Sequence, residues 1–326
     1  MDARPGEDDL IARYFAPLAG PAGLGLKDDV ALMKPPAGRD LVVTTDALVG
    51  GVHFFADDPP DAIARKALRV NLSDLAAKGA EPIGFALNLA LPGDWTADWL
   101  AAFAAGLGDD AAAYGCPLIG GDTVRTPGPL TLAITALGAV EPGRFAARGG
   151  VRPGDQLYVT GTIGDAALGL RVRLGQGPTL AEADRRWLLD RYLLPQPRLV
   201  LASAVARFAS AGMDVSDGFV GDLTKMLRVS GVTATVEMAR LPLSPAAGAA
   251  IAADPSLFPV AASGGDDYEL IVATPASSAA AFEAAAVAVG VPVTPIGEAV
   301  AGAAAPRFVD REGRLFKFAR PSFSHF

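Results

Sequence analysis

Read for the spacing of its apolar and polar positions, the chain resolves into alternating strands and helices. DLVVTTDALVGGVHF (Asp40–Phe54) is rich in β-branched residues and predicts a strand. PPDAIARKALRVNLSDLAAKGA (Pro59–Ala80) repeats its apolar positions at helical spacing, with Asp61 near its start and Gly79 in the C-cap position. PIGFALNLAL (Pro82–Leu91) predicts a strand, WTADWLAAFAAGLGDDAAAYG (Trp95–Gly115) a helix and PLTLAITALGAV (Pro129–Val140) another strand. Between the last two, PLIGGDTVRT (Pro117–Thr126) runs an apolar stretch into two glycines and a carboxylate, Asp122. The Gly-, Pro- and Arg-rich segment Glu141–Asp155 predicts a domain boundary. Beyond it, QLYVTGTIGDAALGL (Gln156–Leu170) reads as strand, glycine turn and helix, and the helix RRWLLDRYL (Arg185–Leu193) is stopped by Pro195 and Pro197. Then come the helix DLTKMLRVS, the strands TATVEM and YELIVAT, the helix AAFEAAAVAV and a hairpin about DREG. The expected fold is α/β (α+β), two mixed α/β domains spanning 1–142 and 150–326.

Bulk properties narrow the function. At 326 residues, with 51% hydrophobic and 20% charged positions, the chain is globular and longer than one core usually supports. Its mean hydropathy is +0.31, yet no apolar run reaches the roughly 18 residues of a spanning helix. GPLTLAITALGAV is too short, and AAFEAAAVAVG carries Glu283. The acidic start MDARPGEDD is unlike a signal peptide, so a cytoplasmic protein is expected, with no membrane partner. The single cysteine, Cys116, excludes an intrachain disulfide and a thiolate-rich zinc site. Its position in the apolar run before Pro117 suits a buried structural thiol better than a nucleophile. A net charge of -8 argues against nucleic acid as a partner. An acidic protein can still bind phosphates when a cation stands between.

The aspartates carry the chemistry. On its helix, Asp74 falls within about 40° of Ile63, Ala67 and Val70 at about 100° per residue, so the carboxylate lies in line with the apolar stripe. There it is neutral, paired with a Lys or Arg of the core, or bound to a cation. Asp29, Asp46, Asp122, Asp214 and Asp217 each lie at the edge of an apolar segment, beside Thr44, Thr45, Thr123, Ser216 or Gly218. One such residue is a turn or cap; their recurrence, with only Lys27 and Arg125 close in sequence, points to a shared ligand. Oxygen donors with two histidines and one cysteine in the whole chain select a hard cation, Mg²⁺ first. Several such ions would make an acidic cleft a polyphosphate site, and the glycines before Asp122 would let backbone approach a nucleotide. There is no G-x-x-x-x-G-K-[ST] loop, no kinase glycine loop with H-R-D and no G-x-S-x-G elbow. GTIGDAALGL is either an anion-binding helix start or a plain turn with Asp165 as cap. His53, on pattern alone, is a half-buried strand histidine.

DDVAL, TTDALVGGVHF, NLSDLAAKGA, LIGGDT, GDQLYVTGTIGDAALGL, MDVSDG and SGGDDYEL occur in this order. The chain thereby resembles the thiamine-monophosphate kinases, relatives of aminoimidazole ribonucleotide synthetase and selenophosphate synthetase, from IARYF to the closing HF. The resemblance implies ATP-dependent phosphorylation of thiamine phosphate to thiamine diphosphate, in a homodimer joined through the N-terminal sheet. It implies Mg²⁺, several ions, on Asp29, Thr44, Thr45, Asp46, Asp74, Asp122, Asp214 and Asp217. Nucleotide contacts fall on Gly121, Asp122, Arg148, Ser216 and Tyr114, and substrate contacts on His53, Asp266 and Phe323. Lys27 replaces the family's usual glycine, Gly50 its acidic residue, and Asp266 its usual Glu. The attacking group would be the substrate's own phosphate, whose second pKa is about 6, so no catalytic base is expected. Two other readings are another acceptor within the superfamily and a non-catalytic nucleotide- or cation-binding module. The lone Cys116, in a core run, counts against the selenophosphate chemistry.

Overall fold

The chain divides into two units, each built on its own sheet: Met1–Leu75 with Glu81–Pro142, and Ala76–Ala80 with Gly143–Phe326. The computed structural model describes residues 6–320, 322 and 323, so the closing HF pair lies outside the described residues.

In the first unit, β1 (Asp40–Val49), β2 (Glu81–Leu91), β3 (Leu118–Arg125) and β4 (Thr131–Val140) form a sheet in the order β1-β4-β2-β3. Only β2 and β3 run parallel; the other neighbours are antiparallel. Helices α1 (Glu7–Leu10), α2 (Pro60–Ala77) and α3 (Ala97–Ala113) complete it. Thr96 caps α3 by accepting from Trp99 N–H at 3.1 Å. Alternation sorts the strands into two faces. Phe85, Leu87, Leu132, Ile134 and Ala136 are buried, whereas Leu41 and Val43 on the opposite face of β1 stand 46% and 62% exposed. That second face is apolar and uncovered.

The second unit has six strands: β5 (Asp155–Thr160), β6 (Ala211–Asp214), β7 (Val232–Glu237), β8 (Leu270–Pro275), β9 (Val293–Ala301) and β10 (Arg307–Val309). Their order is β10-β7-β9-β5-β8-β6, antiparallel except for β10 with β7. The helices are α4 (Asp165–Arg173), α5 (Glu182–Leu193), α6 (Ala202–Phe208), α7 (Phe219–Ser230), α8 (Pro245–Ala253), α9 (Leu257–Ser263) and α10 (Ala279–Ala288). Both faces are covered. Leu157, Val159, Ile271 and Ala273 join Phe219 and Leu223 of α7 in one core. Tyr158, Leu270 and Val272 join Val205 of α6, Phe282 of α10 and Ala76 and Ala77 of α2 in the other. No helix among the described residues is long and apolar enough to cross a membrane.

Three departures from the sequence pattern have local causes. β1 stops at Val49 rather than Phe54, because Val52 and His53 both donate their N–H to Val49 O and close a turn. β9, which the sequence pattern does not single out, lies inside the second sheet with Pro295 and Gly297 in it. The proline pairs with Tyr158 beside the β5–β9 register shift between Leu157 and Tyr158, an irregularity of the kind where a strand proline is found. The last residues of the helix ending in Gly79, Ala76–Ala80, belong with the second unit.

Gly121 shows why β3 carries its glycines. Its φ is +151°, and an added Cβ would lie 1.8 Å from Leu87 O on β2, whereas one at Gly120 would meet nothing within 4 Å. The second glycine, Gly121, therefore serves the approach of two strands. Gly121→Ala should cost more than about 2 kcal/mol in urea unfolding, and Gly120→Ala less than about 1 kcal/mol. Equal midpoints for the two variants would remove this explanation.

Candidate functional site

In the first unit, β1 and α2 bring two of the predicted oxygen donors into contact. Thr44 Oγ1 donates to Asp74 Oδ2 at 2.5 Å. Asp74 is half-buried at the end of the Ile63–Val70 stripe, and no Lys or Arg among the described residues pairs with it. A core salt bridge, one of the readings the sequence left open, is not what holds it. Asp46 lies two positions from Thr44 on β1, hence on the same face. Thr45 turns to the opposite face, where Oγ1 donates to Ile134 O at 3.1 Å and lies 3.1 Å from Thr135 Oγ1. Asp122 is exposed on β3, opposite Asn88 in the β2–β3 ladder. Asp29 is exposed in the loop before β1.

His53 occupies the turn after β1. Its Nδ1 accepts from Val49 N–H at 3.0 Å, so the neutral ring carries its proton on Nε2. Lys66 of α2, only 3% exposed, donates from Nζ to His53 O at 3.0 Å and fixes that turn from below. Sequence reading passed over Lys66, whose place on the buried side of α2 was the available signal. Tyr114 is the C-cap residue of α3, and the Arg69 guanidinium lies 5.7 Å from its ring centre. Arg69 is itself held by buried Asp110, Nε to Oδ2 at 2.6 Å. Both Arg65 and Arg69 are held above their ordinary range: burial opposes this, and the hydrogen bonds to Asp110 outweigh it.

In the second unit, the loop after β6 gathers the predicted residues. Asp214 ends β6 and is buried, and Ser216 and Asp217 follow in the turn to α7. Ser216 O accepts from Asp266 N–H at 2.9 Å, and Asp217 O accepts from Phe323 N–H at 2.9 Å. Nucleotide and substrate candidates from three distant stretches therefore meet on one loop. Asp217 also accepts from Lys225 Nζ at 2.6 Å, and Lys225 bonds Asp222 at 2.9 Å. Burial alone would lower the Lys225 ammonium, but the two carboxylates hold it above its usual range. This cation, nearly two helical turns inside α7, was not among the neighbours evident from sequence. Arg148 is placed apart: its carbonyl accepts from Ser230 Oγ at the far end of α7.

The glycine turn before α4 departs from both readings of its sequence. Gly164, not Asp165, is the N-cap residue. The anion at the helix start is the protein's own: Asp267 accepts from Gly164 N–H at 2.7 Å and Ala166 N–H at 3.2 Å. Asp165 instead accepts from Thr162 Oγ1 at 2.7 Å, Trp187 Nε1 at 3.1 Å and Ser244 Oγ at 2.5 Å. Glu269 is clasped by Arg198, Nε to Oε2 at 2.7 Å, and by Thr160 Oγ1 at 2.6 Å. The residues flanking Asp267 are left-handed without being glycine, Asp266 at φ +72° and Tyr268 at φ +50°. Each such residue costs about 1–3 kcal/mol and persists only where its surroundings over-determine it.

Among the described residues, no three His, Cys, Asp or Glu side chains converge as a metal-holding group. Mg²⁺ needs only one or two carboxylates when phosphate oxygens and water complete its shell. Asp74 fits that requirement: an oxygen donor, half-buried, met among the described residues by the neutral hydroxyl of Thr44.

Residues 27–140 match the AIR synthase related protein N-terminal domain, and residues 152–308 match its C-terminal domain. A thiamine-monophosphate kinase of Caulobacter vibrioides is 45% identical over 305 residues, 92% of this chain and 86% of its own. That of Escherichia coli K12 is 39% identical over 324 residues, 98% of each chain. Among solved structures, thiamine-monophosphate kinase from Stenotrophomonas maltophilia K279a has a TM-score of 0.81 and 38% identity, covering 89% of this chain and 91% of that one. AaThiL complexed with AMPPCP and TMP has a TM-score of 0.78 and 28% identity, covering 92% and 91%.

Cys116 has no part in this chemistry. It is fully buried, and burial pushes its thiol up to about 12, the Gly84 backbone contact pulling the other way. Iodoacetamide at pH 8 should therefore label the native protein only as fast as it opens, with full reaction in denaturant. Rapid labelling of the folded protein would contradict this environment.

Proposed function

The chain belongs to the thiamine-monophosphate kinase family, and from that premise we propose that it transfers the γ-phosphoryl group of ATP to the phosphate of thiamine phosphate in the cytoplasm. An oxygen of the substrate phosphate forms the new P–O bond to the γ-phosphorus. The bond to the β–γ bridging oxygen breaks in line, and ADP leaves with that oxygen, giving thiamine diphosphate. A phosphate whose second pKa is about 6 is mostly dianionic at neutral pH, so this attack needs no protein base. His53 supports that reading. Its Nδ1 lone pair is engaged by Val49 N–H, which leaves Nε2–H as a donor to the substrate rather than a proton acceptor.

The observation that carries the metal assignment is the Asp74–Thr44 pair, a carboxylate on the apolar side of α2 that no Lys or Arg among the described residues pairs with. Asp29, Asp46, Asp74 and Asp122, with Thr44, would hold Mg²⁺ in the first unit, Thr45 contributing through its backbone because its side chain faces the other way; Asp214 and Asp217 would do so in the second. Bound there, the ions supply charge neutralisation to the phosphates of ATP. Ser216, Arg148, Gly121 and Tyr114 would contact the nucleotide, and Asp266 and Phe323 the acceptor. The uncovered face of β1 bearing Leu41 and Val43 supports a homodimer closed by a second copy of the same sheet.

Purified protein with ATP and thiamine phosphate should form thiamine diphosphate, with kcat rising through about pH 6 and then level. Asp74→Asn, which removes charge at nearly constant shape, should lower turnover at least about tenfold and shift the Mg²⁺ dependence to higher concentration. Wild-type turnover and an unmoved Mg²⁺ curve in that variant would remove Asp74 from the metal site. For the dimer, sedimentation at micromolar concentration should give twice the chain mass, and Val43→Glu should give the monomer. An active wild-type monomer would rule the dimer out.

A further inference from the structure

Three segments of the second unit, 160–166, 214–218 and 264–269, are tied together at residues 266–269. Tyr268 N–H donates to Val215 O at 2.9 Å, Asp266 N–H donates to Ser216 O at 2.9 Å, and Val215 N–H donates to Glu269 O at 2.8 Å. Between the two left-handed residues, the Asp267 side chain reaches across to the N–H groups of Gly164 and Ala166. Gly265 packs so closely that a Cβ there would lie 2.2 Å from Ser216 O. The stretch thus has its backbone fixed to one loop and its central side chain fixed to a helix.

Resting on the kinase reading above, we propose that Asp267 is a positioning residue for the acceptor. By capping α4 it holds the left-handed turn that aims Asp266. The fold gains little stability from such an arrangement. Asp267 is a buried carboxylate beside Asp165 and Glu269, and burial pushes it well above the ordinary carboxylate range while the Gly164 and Ala166 amides pull it back. A group whose folded pKa is raised weakens the fold at neutral pH, because its ionised form is favoured in the unfolded chain. A buried charge between two strained residues, serving only to start a helix, would be outdone by an ordinary Ser or Asp cap. What the arrangement does achieve is a set direction for the residue next to it.

The test is Asp267→Asn in the full-length protein, read by melting temperature and by separate Michaelis constants. Asn keeps the shape but offers one acceptor oxygen to two N–H groups. We expect a melting temperature near that of the wild type, with KM for thiamine phosphate raised on the order of tenfold or more and KM for ATP changed less than about threefold. Asp267→Glu, which keeps the charge but displaces it by a methylene, should show the same split more weakly. A folded Asp267→Asn or Asp267→Glu protein with wild-type KM for thiamine phosphate overturns the proposal, as does an equal rise in both constants. If neither variant folds, Asp267 is a folding residue and the proposal fails. Wild-type protein without turnover would overturn the kinase reading itself, a result distinct from all of these.

Discussion

The hydrogen bond from Thr44 to Asp74 is the constraint around which the first unit is arranged. A helix that turns a carboxylate along its apolar stripe must find that carboxylate a partner, or lose the helix to water. α2 finds a hydroxyl on β1, which fixes the register of helix against strand. The alternation of β1 then puts Asp46 on the same side and Leu41 and Val43 on the other. The same two-residue period thus separates an acidic face, beside α2, from an uncovered apolar one. A hydroxyl satisfies one lone pair without cancelling charge, so the negative charge of the site survives folding.

The second unit treats its carboxylates differently. Asp217 and Asp222 share Lys225, Glu269 is clasped by Arg198, and Asp267 is consumed by two backbone amides. Here charge is cancelled locally and used to hold loops in place. A net charge of -8 is therefore not an even coat. The exposed carboxylates of the first unit include Asp29 and Asp122, while much of the acidity of the second is internal. That contrast suits the phosphate transfer proposed above, in which one part attracts cations and another orients oxygens.

Periodicity made most of the architecture legible, since apolar alternation and helical spacing depend only on neighbours in the chain. It did not single out β9, where Pro295 and Gly297 interrupt the strand pattern and the ladder with β5 skips Ile296. It failed at His53 as well, because a turn closed by two N–H groups on one carbonyl leaves no mark in hydrophobicity. The aspartates stood out by recurrence, and motif resemblance supplied their roles. What sequence could not show was the pairing of distant residues: Lys225 with Asp217, Lys66 with the turn of His53, and Asp267 with α4. Asp267 lay inside a motif already noted, yet its partner is 103 residues away. Gly121 was read as room for a nucleotide, and the carbonyl that demands it belongs to β2.

The left-handed backbone at position 266 also bears on which residues natural variation can place there. Positive φ is reached readily by glycine, tolerated by Asn and Asp, and resisted by longer side chains. Glu, the residue the family resemblance leads one to expect, supplies an extra methylene of reach against that resistance. Asp266, at φ +72°, sits more easily in the turn and brings its carboxylate less far out. Drift at this position is therefore a trade between backbone comfort and reach. The list of residues that satisfy both is short.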